Sequence, residues 1–318
     1  MDSFQVPLMV MDRILWQEAP SHFFPWRKQD QDINIDLFNS QIITVLHSKY
    51  QPRSAFTLFV LKDWLRWLCE DAKEEIPTDI WHIYESLRDS PSATELQRFW
   101  RVYQAPNCTL RVQCGCSGIV RGTTALSIWP ASLFLCDWLM EKRKEDLLGD
   151  SFVGELRVLE IGCGLGIVGL TAVLSGLASF VCLTDANEEA LQLVKENIEA
   201  NELESGVASV FPHWWGTLLD AQAESCNVLL GSDVIYDPEL FPALCQTIVH
   251  FLHARKGNIA FISLVVRSLE TWRCFEVEAK KVGIQIQEHL LPHKSNRHFS
   301  EFVQEDSVKI VQFTMNSP

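Results

Sequence analysis

The chain has 318 residues, 47% hydrophobic and 21% charged, a balance that excludes a disordered or fibrous protein and fits a globular one. Its 27 Lys and Arg against 41 Asp and Glu give a net charge of -14, so direct binding to nucleic acid, which rests on cations, is not expected. The 10 cysteines are scattered, several inside apolar runs, as suits free thiols in a reducing compartment, and nothing after Met1 reads as a leader or as a membrane span of roughly 20 residues, so a cytoplasmic protein without a membrane segment is expected.

Residues 1–105 read as an N-terminal helical region. Leu37, Ile42, Val45 and Leu46 predict a helix over 36–49, and Phe56, Phe59, Val60, Trp64, Trp67 and Leu68 one over 55–71. Further helices are expected over 78–87 and from Pro91 to Tyr103. Such a region either packs its own apolar faces or docks a substrate.

From residue 106 to 318 the pattern is that of a second domain. Leu110, Val112, Cys114 and Cys116 alternate, and Ser117-Gly118 reads as a turn, so a β-hairpin is expected over 108–122. The Cys114-x-Cys116 pair lacks a matching second pair, and no metal site is expected. Pro130 opens an apolar helix that carries Trp129 at its start, and the charged stretch 141–150 reads as a loop.

The chain then turns on Leu159-Glu160-Ile161-Gly162-Cys163-Gly164-Leu165-Gly166-Ile167-Val168-Gly169. An apolar strand, a glycine turn and a helix make a nucleotide-binding loop, because glycines let the backbone approach a ligand and the helix start offers free N–H groups. Gly164, Gly166 and Gly169 fit the dinucleotide register G-x-G-x-x-G. Glu160, Gly162, Gly164 and Gly166 fit the E-x-G-x-G-x-G register of S-adenosylmethionine (SAM) enzymes. An NAD-dependent oxidoreductase is thus the competing reading, but an acid at Glu160 would repel a pyrophosphate and attract the ammonium of SAM.

Strands are expected over 180–184, 207–211, 226–231 and 259–266, with helices over 188–201, 238–253 and 269–282 between them. The last two strands, 284–290 and 308–314, have no crossover helix between them and must pair antiparallel. Ligands bind at the carboxyl ends of such strands, which points to Asp185 for ribose hydroxyls, to Trp215 for an adenine and to Ser232-Asp233-Val234-Ile235-Tyr236 beside the reacting group.

Together, Ser127-Ile128-Trp129-Pro130-Ala131, the glycine loop, Thr184-Asp185, Asn197 with Asn201, Trp215, Asp233 to Tyr236 and the segment from Ser263 to Arg267 with Glu270 resemble the family-16 seven-β-strand protein methyltransferases. Phe24-Pro25-Trp26 and the 261–272 segment resemble the members acting on eukaryotic elongation factor 2. The resemblance implies an α/β, Rossmann-like, seven-stranded class I methyltransferase sheet behind an N-terminal helical extension, with SAM as cofactor and a protein lysine, on elongation factor 2, as acceptor; the same motifs leave open a lysine or a histidine of another protein. It implies that Trp129, Glu160, Gly162, Cys163, Gly164, Gly166, Asp185, Trp215 and Ser232 line the cofactor, and that Asp233 and Tyr236 face the acceptor. Asp233 is expected to dock the incoming ammonium and Tyr236 to align its nitrogen.

Overall fold

The computed structural model describes residues 10–19, 21, 24–28, 33–50, 52–89, 98–115, 124–301, 303–305 and 307–315. Helices α1 (Val10–Gln17), α2 (Ile35–Leu46), α3 (Ser54–Trp67) and α4 (Thr78–Arg88) open the chain. Helix α2 starts where the side chain of Asn34 accepts the N–H of Leu37. Helix α3 ends in a widened turn, Leu68–Ala72, closed by Lys73 in a left-handed conformation.

These helices have a core of their own. Phe38, Ile42, Val60, Trp64 and Ile80 bury against one another, and the Phe24-Pro25-Trp26 turn packs into them, with the Trp26 and Trp64 rings 5.0 Å apart. The Trp26 indole N–H donates to the buried Asp63 carboxylate at 3.0 Å, which satisfies both groups inside the core. Phe24-Pro25-Trp26 is therefore a packing element of the helical region.

The helix expected over 91–103 is not formed where the structure describes it. Phe99–Ala105 is strand β1, paired antiparallel with β2 (Cys108–Cys114), so that Ala105 faces Cys108 across Pro106-Asn107. Two residues between strands is the usual hairpin connection, and Val102 and Tyr103 favour a strand. The hairpin expected over 108–122 is thus displaced: Cys108–Cys114 is its second strand, not its first. Ser117-Gly118, Cys116 and residues 90–97 lie outside the described residues. The hairpin packs on the sheet domain, since Phe99, Tyr103, Leu110 and Val112 share a core with its helices.

Then follow α5 (Pro130–Met140), α6 (Lys144–Leu148), β3 (Arg157–Ile161), α7 (Ile167–Leu174), β4 (Phe180–Asp185), α8 (Glu188–Ala200), β5 (Ala208–Pro212), α9 (Ala221–Glu224), β6 (Val228–Ser232), α10 (Phe241–Ala254), β7 (Ile259–Val265), α11 (Leu269–Lys281), β8 (Ile284–His289) and β9 (Val308–Met315). Helix α6 stands in a stretch expected to be loop; Asp146 accepts the N–H of Arg143 and so supplies the start signal.

The seven strands lie in the order β5-β4-β3-β6-β7-β9-β8, with β9 antiparallel to both neighbours and the other pairs parallel. This is the seven-stranded sheet expected, closed by the antiparallel pair. Strand residues alternate between two cores: Val158, Leu183 and Leu230 face α5, α7 and α8, while Leu159, Cys182 and Leu229 face α10 and α11. The long connection from β8 to β9 is fixed by Asp137, whose fully buried carboxylate accepts the N–H groups of His298, Phe299 and Ser300 and the Ser300 hydroxyl.

Candidate active site

Strand order reverses between β3 and β6, so a crevice is expected at their carboxyl ends. A cavity of about 430 Å³ opens there, lined by the loop after β3, the ends of β4 and β6, the turn after β5 and the start of α5. Trp129, Glu160, Gly162, Cys163, Gly164, Asp185, Trp215, Ser232, Asp233 and Tyr236 all line it. Gly166 does not; it stands behind the loop as the left-handed residue that starts α7.

Close approach explains two of the glycines. A Cβ on Gly162, at φ +57, would lie 2.9 Å from Val234 Cγ1 and 3.2 Å from Trp215 Cζ2, and one on Gly164 would lie 2.9 Å from the Ala125 carbonyl oxygen. Gly169 sits against Leu183 and Val181, 2.6 Å from each by the same measure, which makes it the residue that seats α7 on the sheet. The third glycine of the dinucleotide register is therefore used in packing.

The acids have distinct settings. Asp185 bridges two segments: one oxygen accepts the Gly164 N–H at 2.9 Å and the other the Asn187 N–H at 2.9 Å. Burial raises its pKa, and those N–H groups oppose the rise. Glu160 is only 1% exposed, and its Oε2 accepts the Gly169 N–H at 2.8 Å, while Oε1 has no hydrogen-bond partner among the described residues. Burial pushes this carboxyl up to about 8; the Gly169 N–H opposes the shift and the Asp185 charge adds to it.

Asp233 follows β6 at φ +54, a left-handed conformation that aspartate tolerates at a cost of about 1 kcal/mol. Its N–H donates to the Ser263 carbonyl at 2.8 Å, tying the turn to β7. Its carboxylate is already held: Arg267 donates Nη1 to Oδ1 at 3.0 Å and Nη2 to Oδ2 at 2.5 Å, and the Val265 N–H reaches Oδ1 at 3.3 Å. The sequence shows Arg267 but not its pairing, because nothing local links positions 34 residues apart.

Aromatic groups ring the mouth. Trp129 is half-buried, donates its indole N–H to the Thr124 carbonyl at 3.0 Å and has the Arg267 guanidinium 5.5 Å from its ring centre. Trp215 lies against Gly162, whereas Trp214 is 55% exposed at the rim. Tyr236 is half-exposed, and burial together with the charges of Asp185, Asp237 and Asp233 raises its pKa. Sequence reasoning missed His213, buried after β5 with Nε2 unpartnered among the described residues; burial, with His250 adding, lowers its pKa and keeps it neutral. A polar residue at a strand's carboxyl end was the available signal.

Glu160, Asp185 and Asp233 all line the cavity, and no lysine or arginine does among the described residues. With no cation in that lining the cavity offers a pyrophosphate no partner, and the Asp185 carboxylate suits a cofactor that carries positive charge. Residues 118–271 match a family model described as lysine methyltransferase. That segment is similar to the family. The methyl donor that the similarity implies is SAM, which supplies an electrophilic methyl group on a sulfonium sulfur.

Individual relatives agree. Protein-lysine N-methyltransferase EFM3 of Saccharomyces cerevisiae is 30% identical over 174 residues, 51% of this chain and 50% of that protein. Protein N-lysine methyltransferase METTL21A of Danio rerio is 36% identical over 129 residues, 40% of this chain and 55% of that one. Protein-lysine N-methyltransferase EEF2KMT of Bos taurus is 24% identical over 299 residues, 83% of this chain and 85% of that protein. The chain thus spans about half the length of the first two relatives and most of the third. No helix of the described residues is long and apolar enough to cross a membrane.

Proposed function

We propose that the chain is a SAM-dependent protein-lysine N-methyltransferase of the cytoplasm whose substrate is elongation factor 2. The observation that carries the chemistry is the cavity at the switch point, lined by Asp185, Asp233, Tyr236 and the glycine loop and by no lysine or arginine among the described residues. In this reading Asp185 holds the ribose, Trp215 and Trp129 enclose the cofactor, Gly162, Cys163, Gly164 and Ser232 meet it through their backbones, and Glu160 lies beneath its ammonium. Asp233 and Tyr236 orient the acceptor nitrogen. The preference for elongation factor 2 rests on similarity to the EEF2KMT proteins of Bos taurus and Homo sapiens, which runs over 83% and 82% of this chain and so through the helical region as well as the domain. We assign α1 to α4 to an accessory unit and the hairpin from Phe99 onward to the catalytic domain, because the hairpin shares the domain's core.

The test is transfer of label from radioactive SAM to purified unmethylated elongation factor 2, with the modified residue located by mass spectrometry. The reading requires a methylated lysine. Label on a different lysate protein and none on elongation factor 2 would refute the substrate, and label on no protein would refute the activity.

A further inference from the structure

The proposed chemistry sets an electrostatic problem at Asp233. Lysine nitrogen must offer a lone pair to the methyl carbon: the N–C bond forms as the C–S bond breaks, the bonding pair stays on sulfur, and the surplus proton leaves the nitrogen to water. A free lysine has a pKa of about 10.4, and an unpaired carboxylate beside it raises that value further. An isolated Asp233 would dock the acceptor in its unreactive, charged form.

Arg267 offsets that effect. Its guanidinium grips both oxygens of Asp233, with the aspartate side chain 6% exposed and the arginine 49% exposed, so the anion lies inside and the cation at the rim. The fork is aligned by the Trp129 ring 5.5 Å away and by the Asp233 turn, held to Ser263 and Val265 of β7. The ion pair raises the pKa of Arg267, so the guanidinium keeps its charge.

We propose that Arg267 is a positioning residue that neutralises Asp233, so that the acceptor lysine is oriented by a carboxylate without being held as an ammonium. The inference rests on the methyltransferase reading given above. The other ionisable groups facing the mouth leave this task to Arg267: Asp185 is committed to two backbone N–H groups, Glu160 is largely protonated at neutral pH, His213 and Tyr236 are neutral there, and Asp237 caps the turn after Tyr236 by accepting the Glu239 N–H. An opposite charge within contact shifts a pKa by about 1 to 3 units, and the half-exposed rim places this effect near the lower figure.

Two measurements on Arg267→Gln test the proposal, with unmethylated elongation factor 2 as acceptor, or heat-treated cell lysate if that protein takes no label. The pH–rate profile of methyl transfer should move the midpoint of its rising limb up by about one unit, with a roughly tenfold loss at pH 7 that is recovered at higher pH. In the absence of SAM, acceptor binding at pH 7 should tighten several-fold, because the bared carboxylate attracts an ammonium. Asp233→Asn combined with Arg267→Gln should return the midpoint to the wild-type value at a lower rate. A profile lowered at every pH with its midpoint unmoved, or weaker acceptor binding, would overturn the inference while leaving the methyltransferase reading intact. A wild-type protein that labels nothing overturns both. Thermal unfolding of each variant identifies one that has merely lost its fold, and Arg267→Lys, which keeps the charge, should then hold the wild-type midpoint; a shift there also counts against the proposal.

Discussion

Replacing Glu160 by glutamine should remove the fall in stability that this carboxyl contributes between pH 6 and 8. The carboxyl has a pKa of about 8 in the folded protein against an ordinary 4.5, because burial penalises its charged form. With the folded value raised, the stabilisation is complete below pH 4.5 and falls as pH rises, because the unfolded chain ionises first; the fall ends near pH 8. Each pH unit in that window is about 1.4 kcal/mol, so the full loss approaches ~5 kcal/mol, and about 2 kcal/mol of it falls between pH 6 and 8. Glutamine keeps an acceptor for the Gly169 N–H and cannot ionise, so Glu160→Gln should be the more stable protein at pH 8, with a melting temperature higher by roughly 4 °C or more relative to the difference at pH 6. Urea or thermal unfolding of both proteins at pH 6, 7 and 8 measures this. Parallel pH dependences in the two would refute the argument that this carboxyl is kept protonated by burial.

Gly162→Ala puts a methyl group into Val234 and Trp215 at a left-handed position, so it should weaken SAM binding at least tenfold while costing about 1–3 kcal/mol of stability, read by calorimetry and by urea unfolding. Asn197→Ala removes the acceptor of the Gln113 N–H and the donor to the Leu165 carbonyl, loosening the hairpin and the glycine loop together. It should destabilise by roughly 2–4 kcal/mol and raise amide exchange at Gln113; protection there equal to wild type would contradict the assignment.

Periodicity was enough to read the strands of the sheet and the helices between them, because each buried strand is a short apolar run ended by a polar residue or glycine. Closure by β8 and β9 followed from a loop too poor in helical pattern to be a crossover. The β1 segment misled for a physical reason: Phe99, Trp100 and Tyr103 fit a helical stripe as well as a strand, and only pairing with Cys108–Cys114 decides between them. Helix α6 was hidden by charge, since its five residues bury little apart from Leu147. In the site, the residues at strand ends were legible one by one. Their couplings were not: the Arg267 grip on Asp233, the Asp185 bridge and the sealed carboxyl of Glu160 are long-range contacts. Glu160 in particular reads in the sequence as a charge offered to the cofactor, whereas burial keeps it largely neutral until pH approaches 8.

The most direct measurement is calorimetric titration of the wild-type protein and Asp185→Ala with SAM, and of the wild type with NAD. The account predicts one SAM site on the wild type, at least tenfold weaker binding when Asp185 is removed, and no NAD binding. Binding of NAD in place of SAM, or SAM affinity indifferent to Asp185, would contradict it.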